Sequence, residues 1–305
     1  MSGSLHFDRH WPRASHWLAG ECLQGPRRRV ALLGAPCHLG SITPGRCDLA
    51  PGAIRRALER FSTYDVEHGV DVRLVRADDL GDLPIEGQTP KESFAAIREG
   101  AAEARKGADA VALMGGDNSI TRPGLHGLDQ TLKECGLITL DAHFDLRDLE
   151  AGLTNGNPVR ALLEDGLPGE NIAQIGIQGY ANSGYYAAIA REAGVRVVTA
   201  EQAHRCGLAR AMAEQLAELS RRVTAIYVDV DLDVLDRAFS PGTPGSRPGG
   251  FAVWELREAV WVAGACPQVK AMDLVEVDPE RDVADATTLA AAACLLEFAS
   301  GMVTR

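Results

Sequence analysis

The chain has 305 residues, 46% hydrophobic and 24% charged, and a chain of that size buries roughly 75% of its unfolded surface; a disordered, collagen-like or disulfide-stapled protein is excluded. With 31 basic against 42 acidic residues the net charge is -11, which repels phosphate backbones and anionic lipid headgroups, so neither nucleic acid nor membrane is an expected partner. Seven scattered cysteines form no C-x-x-C pair, the pattern of free thiols in a reducing compartment rather than of a zinc or redox site.

In chain order, residues 1–27 read as an N-terminal extension, mixed in polarity and without a signal-type apolar core; Trp11 and Trp17 are expected to dock it. Residues 28–305 read as one domain, with a cytoplasmic location. Apolar runs begin at 29, 72, 108, 136, 171, 195, 223 and 269. Most lack the polar alternation of a half-exposed strand, so they predict strands buried on both faces, as in a parallel sheet covered by helices. Segments with helical spacing lie between them at 51–61, 90–106, 208–222 and 253–264. This alternation suits either an open three-layer sheet or a TIM barrel. The longest apolar stretch, 289–299, contains Glu297 and is too short to span a bilayer.

Four predicted strands end in polar clusters: MGGDNS at 114–119, DAHFDLRD at 141–148, DVDLDVLD at 229–236 and EVDPERD at 276–282. Parallel strands gather their C-termini along one edge, where these clusters converge. In DAHFD, Asp141, His143 and Asp145 alternate along an extended chain and point to one side, and Asp231 and Asp233 share a side likewise. Four carboxylates and one imidazole facing one another need cations, and mixed oxygen and nitrogen donors favour a pair of manganese ions over a thiolate-loving metal. A D-x-D pair also occurs in aspartate-based phosphatases, but after the first strand, not about the seventh.

With these motifs the chain resembles the ureohydrolase superfamily of arginases, agmatinases and formimidoylglutamases. GGDNS stands where that family has GGDHS, DAHFD matches DAHxD, DLDVLDRAFSPGTP matches its second Asp motif and loop, EVDP carries its late Glu, and residues 34–55 resemble its first loop and helix. The resemblance implies a three-layer α/β/α sandwich around an eight-stranded, mostly parallel sheet, which removes the barrel, and a metal-dependent hydrolase of linear amidines. It also implies a trimer or hexamer acting on a small molecule. Carried over residue by residue, one Mn2+ would be held by Asp141, Asp145 and Asp231, with Asn118 where most relatives have His. The second would be held by His143, Asp141, Asp231 and Asp233. The neutral amide of Asn118 makes the first site the weaker.

Asp141, His143 and Glu276 are then the catalytic set, with Glu276 also holding the substrate's amidinium, and Asn155 and Arg147 are expected at the substrate. Arg122 and Arg160 are further candidates for pairing with substrate carboxylates; His38 and His126 are expected to be packed or surface residues. Asn155 stands where arginases and agmatinases have a proton-handling His. That change, and the D-L-D-V-L reading at 231–235, resemble formimidoylglutamases. The expected reaction is therefore hydrolysis of N-formimidoyl-L-glutamate to L-glutamate and formamide. The loop at 241–250 is more agmatinase-like, so urea release from agmatine or another guanidine is the second reading. A hydroxyarginine hydrolase and a non-catalytic metal-binding relative follow.

Overall fold

The apolar runs all enter one sheet. In the computed structural model, which describes residues 8–25 and 28–305, they form β1 (Arg28–Gly34), β2 (Val75–Asp82), β3 (Ala110–Met114), β4 (Cys135–Leu140), β5 (Ile172–Ile177), β6 (Arg196–Thr199), β7 (Ala225–Asp231) and β8 (Val269–Val275). Their order across the sheet is 2-1-3-8-7-4-5-6, and each of the seven pairings is parallel. Every residue of β3, β4 and β5 is buried, as the continuous apolar runs require. The edge strands β2 and β6 are half-exposed because they have a neighbour on one side only. A short antiparallel hairpin, Tyr64–Asp65 with Val70–Asp71, lies outside this sheet.

Two helical layers cover the faces. On one side lie α1 (Ala14–Leu18), α2 (Ala50–Ala57), α7 (Ala200–Cys206), α8 (Leu208–Leu219), α9 (Val253–Ala265) and α10 (Ala286–Val303); on the other lie α3 (Pro90–Lys106), α4 (Thr121–Leu128), α5 (Pro158–Glu164) and α6 (Gly184–Ala193). The longest helix, α10, extends the predicted apolar stretch to 18 residues, long and apolar enough to cross a membrane by length and composition, yet 83% of it is buried inside the protein. Trp17 of α1 is fully buried and donates from its indole nitrogen to the Val75 carbonyl at 2.8 Å, so this part of the N-terminal segment is packed onto the sheet. The cysteines are all free thiols.

The strand order is what gathers the polar motifs. The chain runs outward through β4, β5 and β6 and then returns to insert β7 and β8 beside β3 and β4. The four strands that carry the polar clusters are thus the four adjacent central ones, and their C-terminal loops share one crevice. The loop after β3 reaches it through Gly115 and Gly116. A Cβ on Gly116 would run into the Cys37 backbone, and one on Gly115 would lie 2.7 Å from the Leu274 carbonyl oxygen. Only glycine lets these three segments approach so closely. Gly116→Ala is expected to destabilise the fold by about 1–3 kcal/mol, read as a lowered midpoint in chemical denaturation; an unchanged midpoint would contradict this close packing.

Candidate metal centre and substrate cleft

The sequence-predicted ligands converge, though not by the route expected of them. β4 stops at Leu140, and Asp145 takes a left-handed backbone with φ 52°. Asp141, His143 and Asp145 therefore meet through a folded loop, not as alternate residues of an extended strand. Asn182 holds that loop, accepting from the Phe144 N–H at 2.9 Å and donating to the Ala142 carbonyl at 2.9 Å. Asp231 is the last residue of β7, and a 3-10 turn over Leu232–Val234 carries Asp233. The Asp231 carboxylate accepts the Asp233 N–H at 2.8 Å and so sets that turn. Both departures have one cause: short side chains at strand ends capture nearby backbone N–H groups and bend the chain.

His143 Nδ1 lies 2.8 Å from Asp233 Oδ2 and 3.5 Å from Asp141 Oδ1. The Asp141 Oδ1 atom also accepts the His143 N–H at 2.6 Å. Asp141, Asp145, Asp231, Asp233 and Glu276 are all buried. Burial and mutual repulsion push the carboxyl of Asp141 up to about 6 and those of Asp145 and Asp231 well above the usual range. Asp233 alone stays low: its burial is outweighed by the adjacent His143. The charge of Asp233 in turn pushes the imidazole up to about 11. The arrangement fits divalent cations. Asp141 Oδ2 is buried with no hydrogen-bond partner, and Asp141, His143 and Asp233 offer ligand atoms all within 4.8 Å of one another.

Asn118 faces this centre with the opposite end from the one a ligand needs. Its Nδ2 donates to Asp145 Oδ2 at 3.0 Å and lies 3.3 Å from Asp231 Oδ2, while its Oδ1 is 2.7 Å from the Thr121 hydroxyl. Acceptor-rich carboxylates draw the donor end of the amide. A ligand role for its oxygen requires the amide to turn over, and Thr121 permits this. That hydroxyl also lies 2.7 Å from Asp273 Oδ2, so it can give its one proton to Asp273 and accept from the Asn118 amide.

Glu276 sits just past β8 with φ 64°, a conformation costly for a residue other than glycine. Its Oε1 accepts from the Asn118 N–H at 2.8 Å and from Asn155 Nδ2 at 3.0 Å. Burial, with the nearby Asp117 charge, pushes its carboxyl up to about 8. Asn155 is occupied by this work: its Oδ1 accepts the Ile42 N–H at 3.0 Å while its Nδ2 holds Glu276. It ties the 40–42 loop to Glu276, a role its position in the sequence does not reveal.

A cavity of about 230 Å³ opens over these groups, lined among others by His143, Asp145, Arg147, Asn155, Asp231, Asp233, Arg247 and Glu276. Its size suits a small molecule. Arg147 is therefore in the cleft, whereas Arg122 pairs with Asp165 at 2.6 Å and Arg160 with Glu164 at 2.7 Å. His126 also joins Asp165, at 2.9 Å, and His38 lies 3.5 Å from Asp48; neither lines the cleft. Sequence reasoning missed Asn182, whose signal is invisible without the loop it holds, and Arg247, whose signal was its place in a Gly/Pro-rich loop after a metal motif.

Asp141 and Glu276 have folded pKa values raised above the usual carboxylate value of about 4. Such groups contribute stability below the unfolded pKa and lose it as pH rises through about 6 and then about 8. His143, raised to about 11, acts in the same direction. Chelator-treated protein is expected to show a denaturation midpoint that falls between pH 5 and pH 9, with saturating Mn2+ restoring it. A midpoint that stays level or rises over this interval would contradict the charge crowding.

A family model described as the arginase family matches residues 28–300. The formimidoylglutamase of Halalkalibacterium halodurans is 39% identical over 274 residues, 88% of this chain and 86% of its own length. The crystal structure of formimidoylglutamase from Bacillus subtilis superposes with a TM-score of 0.91 at 34% identity, covering 99% of this chain and 95% of that one. The structure of Trypanosoma cruzi formiminoglutamase with Mn2+ shares the fold, with a TM-score of 0.85 at 23% identity over 97% of this chain and 99% of that one. The three-layer sheet, the shared crevice and these likenesses agree, and the chain belongs to the arginase family.

Proposed function

We propose that this chain hydrolyses N-formimidoyl-L-glutamate to L-glutamate and formamide, using two manganese ions. The observation that carries the reading is the cleft's proton chemistry: of the side chains lining it, His143 is the sole imidazole, and it faces Asp233 and Asp141. Position 155, where guanidine hydrolases of this family have a histidine, holds an asparagine bonded to Glu276. The formimidoylglutamases that cover most of this chain support the same substrate.

The related formiminoglutamase of Trypanosoma cruzi has a structure with Mn2+; here Asp141, His143, Asp145, Asp231 and Asp233 would hold the ions, with Asn118 completing the first site when its amide turns. Bound there, manganese supplies compensation for the clustered carboxylates and activation of water near neutral pH. The rest falls to the chain. Glu276 presents an anion to the amidinium: its Oε1 is taken by Asn118 and Asn155, which leaves Oε2 for a substrate N–H. Burial favours its neutral form, and a cationic group beside it in the cleft would draw it back into the ionised form. Asn155 fixes that carboxylate and has no proton to pass on. Water is consumed as the bond between the formimino carbon and the glutamate nitrogen breaks, and that nitrogen leaves protonated.

The substrate preference follows. Expelling an amine from a guanidinium calls for a positioned acid, worth on the order of 10²- to 10⁴-fold, and no residue at position 155 can serve. A formimino carbon bears hydrogen in place of a third nitrogen, is less stabilised by resonance and needs less assistance. Formimidoylglutamate is expected to exceed agmatine and arginine in kcat/KM by at least about tenfold, with formamide as product in a panel assayed on manganese-loaded protein. Comparable urea release would promote the guanidine reading.

The Asn118 amide is a weaker donor than imidazole, so the two ions are expected to differ in affinity. Metal analysis during stepwise chelation should show one leaving first; two ions lost together would remove Asn118 from the ligand set. A trimeric or hexameric assembly is part of the same reading, and light scattering measures it directly.

A further inference from the structure

The metal-side walls of the cleft are acidic, yet two arginines line it as well. Among the described residues neither the Arg147 nor the Arg247 guanidinium has a hydrogen-bond or ion-pair partner, although most arginines of this acidic chain are paired with carboxylates. Both are exposed at the cleft mouth. An unpaired guanidinium beside a concentration of carboxylates is poorly explained by packing.

Both are carried on backbone that is held firmly. The Arg147 N–H donates to the Gly156 carbonyl at 3.1 Å, and a Cβ on Gly156 would come within 2.8 Å of the Arg147 side chain at Cδ. Glycine at 156 therefore makes room for the Arg147 stem to cross next to Asn155. Arg247 lies on the 240–250 loop. Arg237 braces that loop from within: its N–H donates to the Arg247 carbonyl at 3.1 Å and its Nη1 to the Thr243 carbonyl at 2.8 Å. Asp236 accepts the Gly249 N–H at 2.7 Å, and Thr287 accepts the Gly242 N–H at 2.8 Å. Gly245, two residues before Arg247, packs so closely on Asp233 and His143 that a Cβ there would collide with the Asp233 carboxylate. The loop is thus seated directly on the metal-side residues and presents a guanidinium over the cavity.

We infer that Arg147 and Arg247 form a clamp for a dicarboxylate, each taking one carboxylate of an acidic amino-acid substrate while its amidine end is held at Glu276. This rests on the reading above and names what selects the acid end of that substrate. Guanidinium forks bind carboxylates in a planar, paired geometry that lysine does not reproduce. The two positive charges at the mouth also separate a dianionic tail from the acidic floor, which on its own would repel it. A substrate with a cationic or uncharged tail leaves both guanidinium groups without a partner and is disfavoured on the same ground.

The test uses manganese-loaded enzyme and the variants Arg147→Gln, Arg247→Gln and Arg247→Lys. With N-formimidoyl-L-glutamate, each Gln variant is expected to raise KM by about tenfold or more, with kcat changing less, and Arg247→Lys to recover part of the loss. With N-formimidoyl-L-glutamine, which lacks the second negative charge, the wild type should lose a comparable factor, and one of the two Gln variants should then cause little further loss. Calorimetry with L-glutamate and L-2-aminobutyrate measures the clamp without turnover. Equal affinity of the wild type for these two overturns the clamp even where formimidoylglutamate is hydrolysed. A preference for glutamate that Arg247→Gln or Arg147→Gln erases supports it, even where the proposed reaction itself is not observed.

Discussion

Five carboxyl groups and an imidazole crowd one buried crevice, and the cost of holding them together is the constraint to which the surrounding structure answers. Asp141, Asp145, Asp231, Asp233 and Glu276 are all largely removed from water, where like charges repel with little screening. Hydrogen bonds absorb part of that cost: backbone N–H groups of His143, Ala142, Asp233 and Asn118 all point into carboxylate oxygens. They leave Asp141 Oδ2 without a partner. The remainder is expressed as raised carboxyl pKa values, a cost that a bound divalent cation would relieve.

A parallel sheet is the scaffold that can bear this. Its central strands are buried on both faces and fixed by two layers of helices, so the loops at their C-terminal ends have rigid roots. Loop geometry then does the fine placement, through glycines that admit close approach at 115, 116 and 245 and through left-handed residues at Asp145 and Glu276. Strain of this kind persists only where the surroundings over-determine it. Here the surroundings are β8, the Cys37 backbone, and Asn118 and Asn155, which both bond Glu276.

Under the proposed function, those asparagines separate this cleft from one built for guanidines. An imidazole at either place would add a titrating group. An amide instead adds a neutral donor and acceptor whose orientation responds to its neighbours. Asn155 uses both ends, on Ile42 and Glu276, and Asn118 uses its donor end on carboxylates while Thr121 and Asp273 leave the turned orientation open. Under the proposed function, the cleft forgoes acid assistance from position 155 and keeps the Glu276 carboxylate for an amidinium.

The eight strands, the layered architecture and the acidic and histidine residues proposed to hold metal were legible in the sequence. These features are written in local pattern: continuous apolar runs, helical spacing and acidic clusters at run ends. It also carried the family likeness, which supports the substrate reading. The hydrogen-bond partner of Asn155, the facing of the Asn118 amide, the turn that brings Asp233 beside His143 and the presence of Arg247 in the cleft were decided by tertiary structure alone. Each depends on residues far apart in the chain, 155 with 276, 118 with 145, 143 with 233 and 143 with 245, and on chain bends set by backbone N–H groups captured at strand ends. A periodicity reads which face a residue is on; it does not read which distant loop folds over that face.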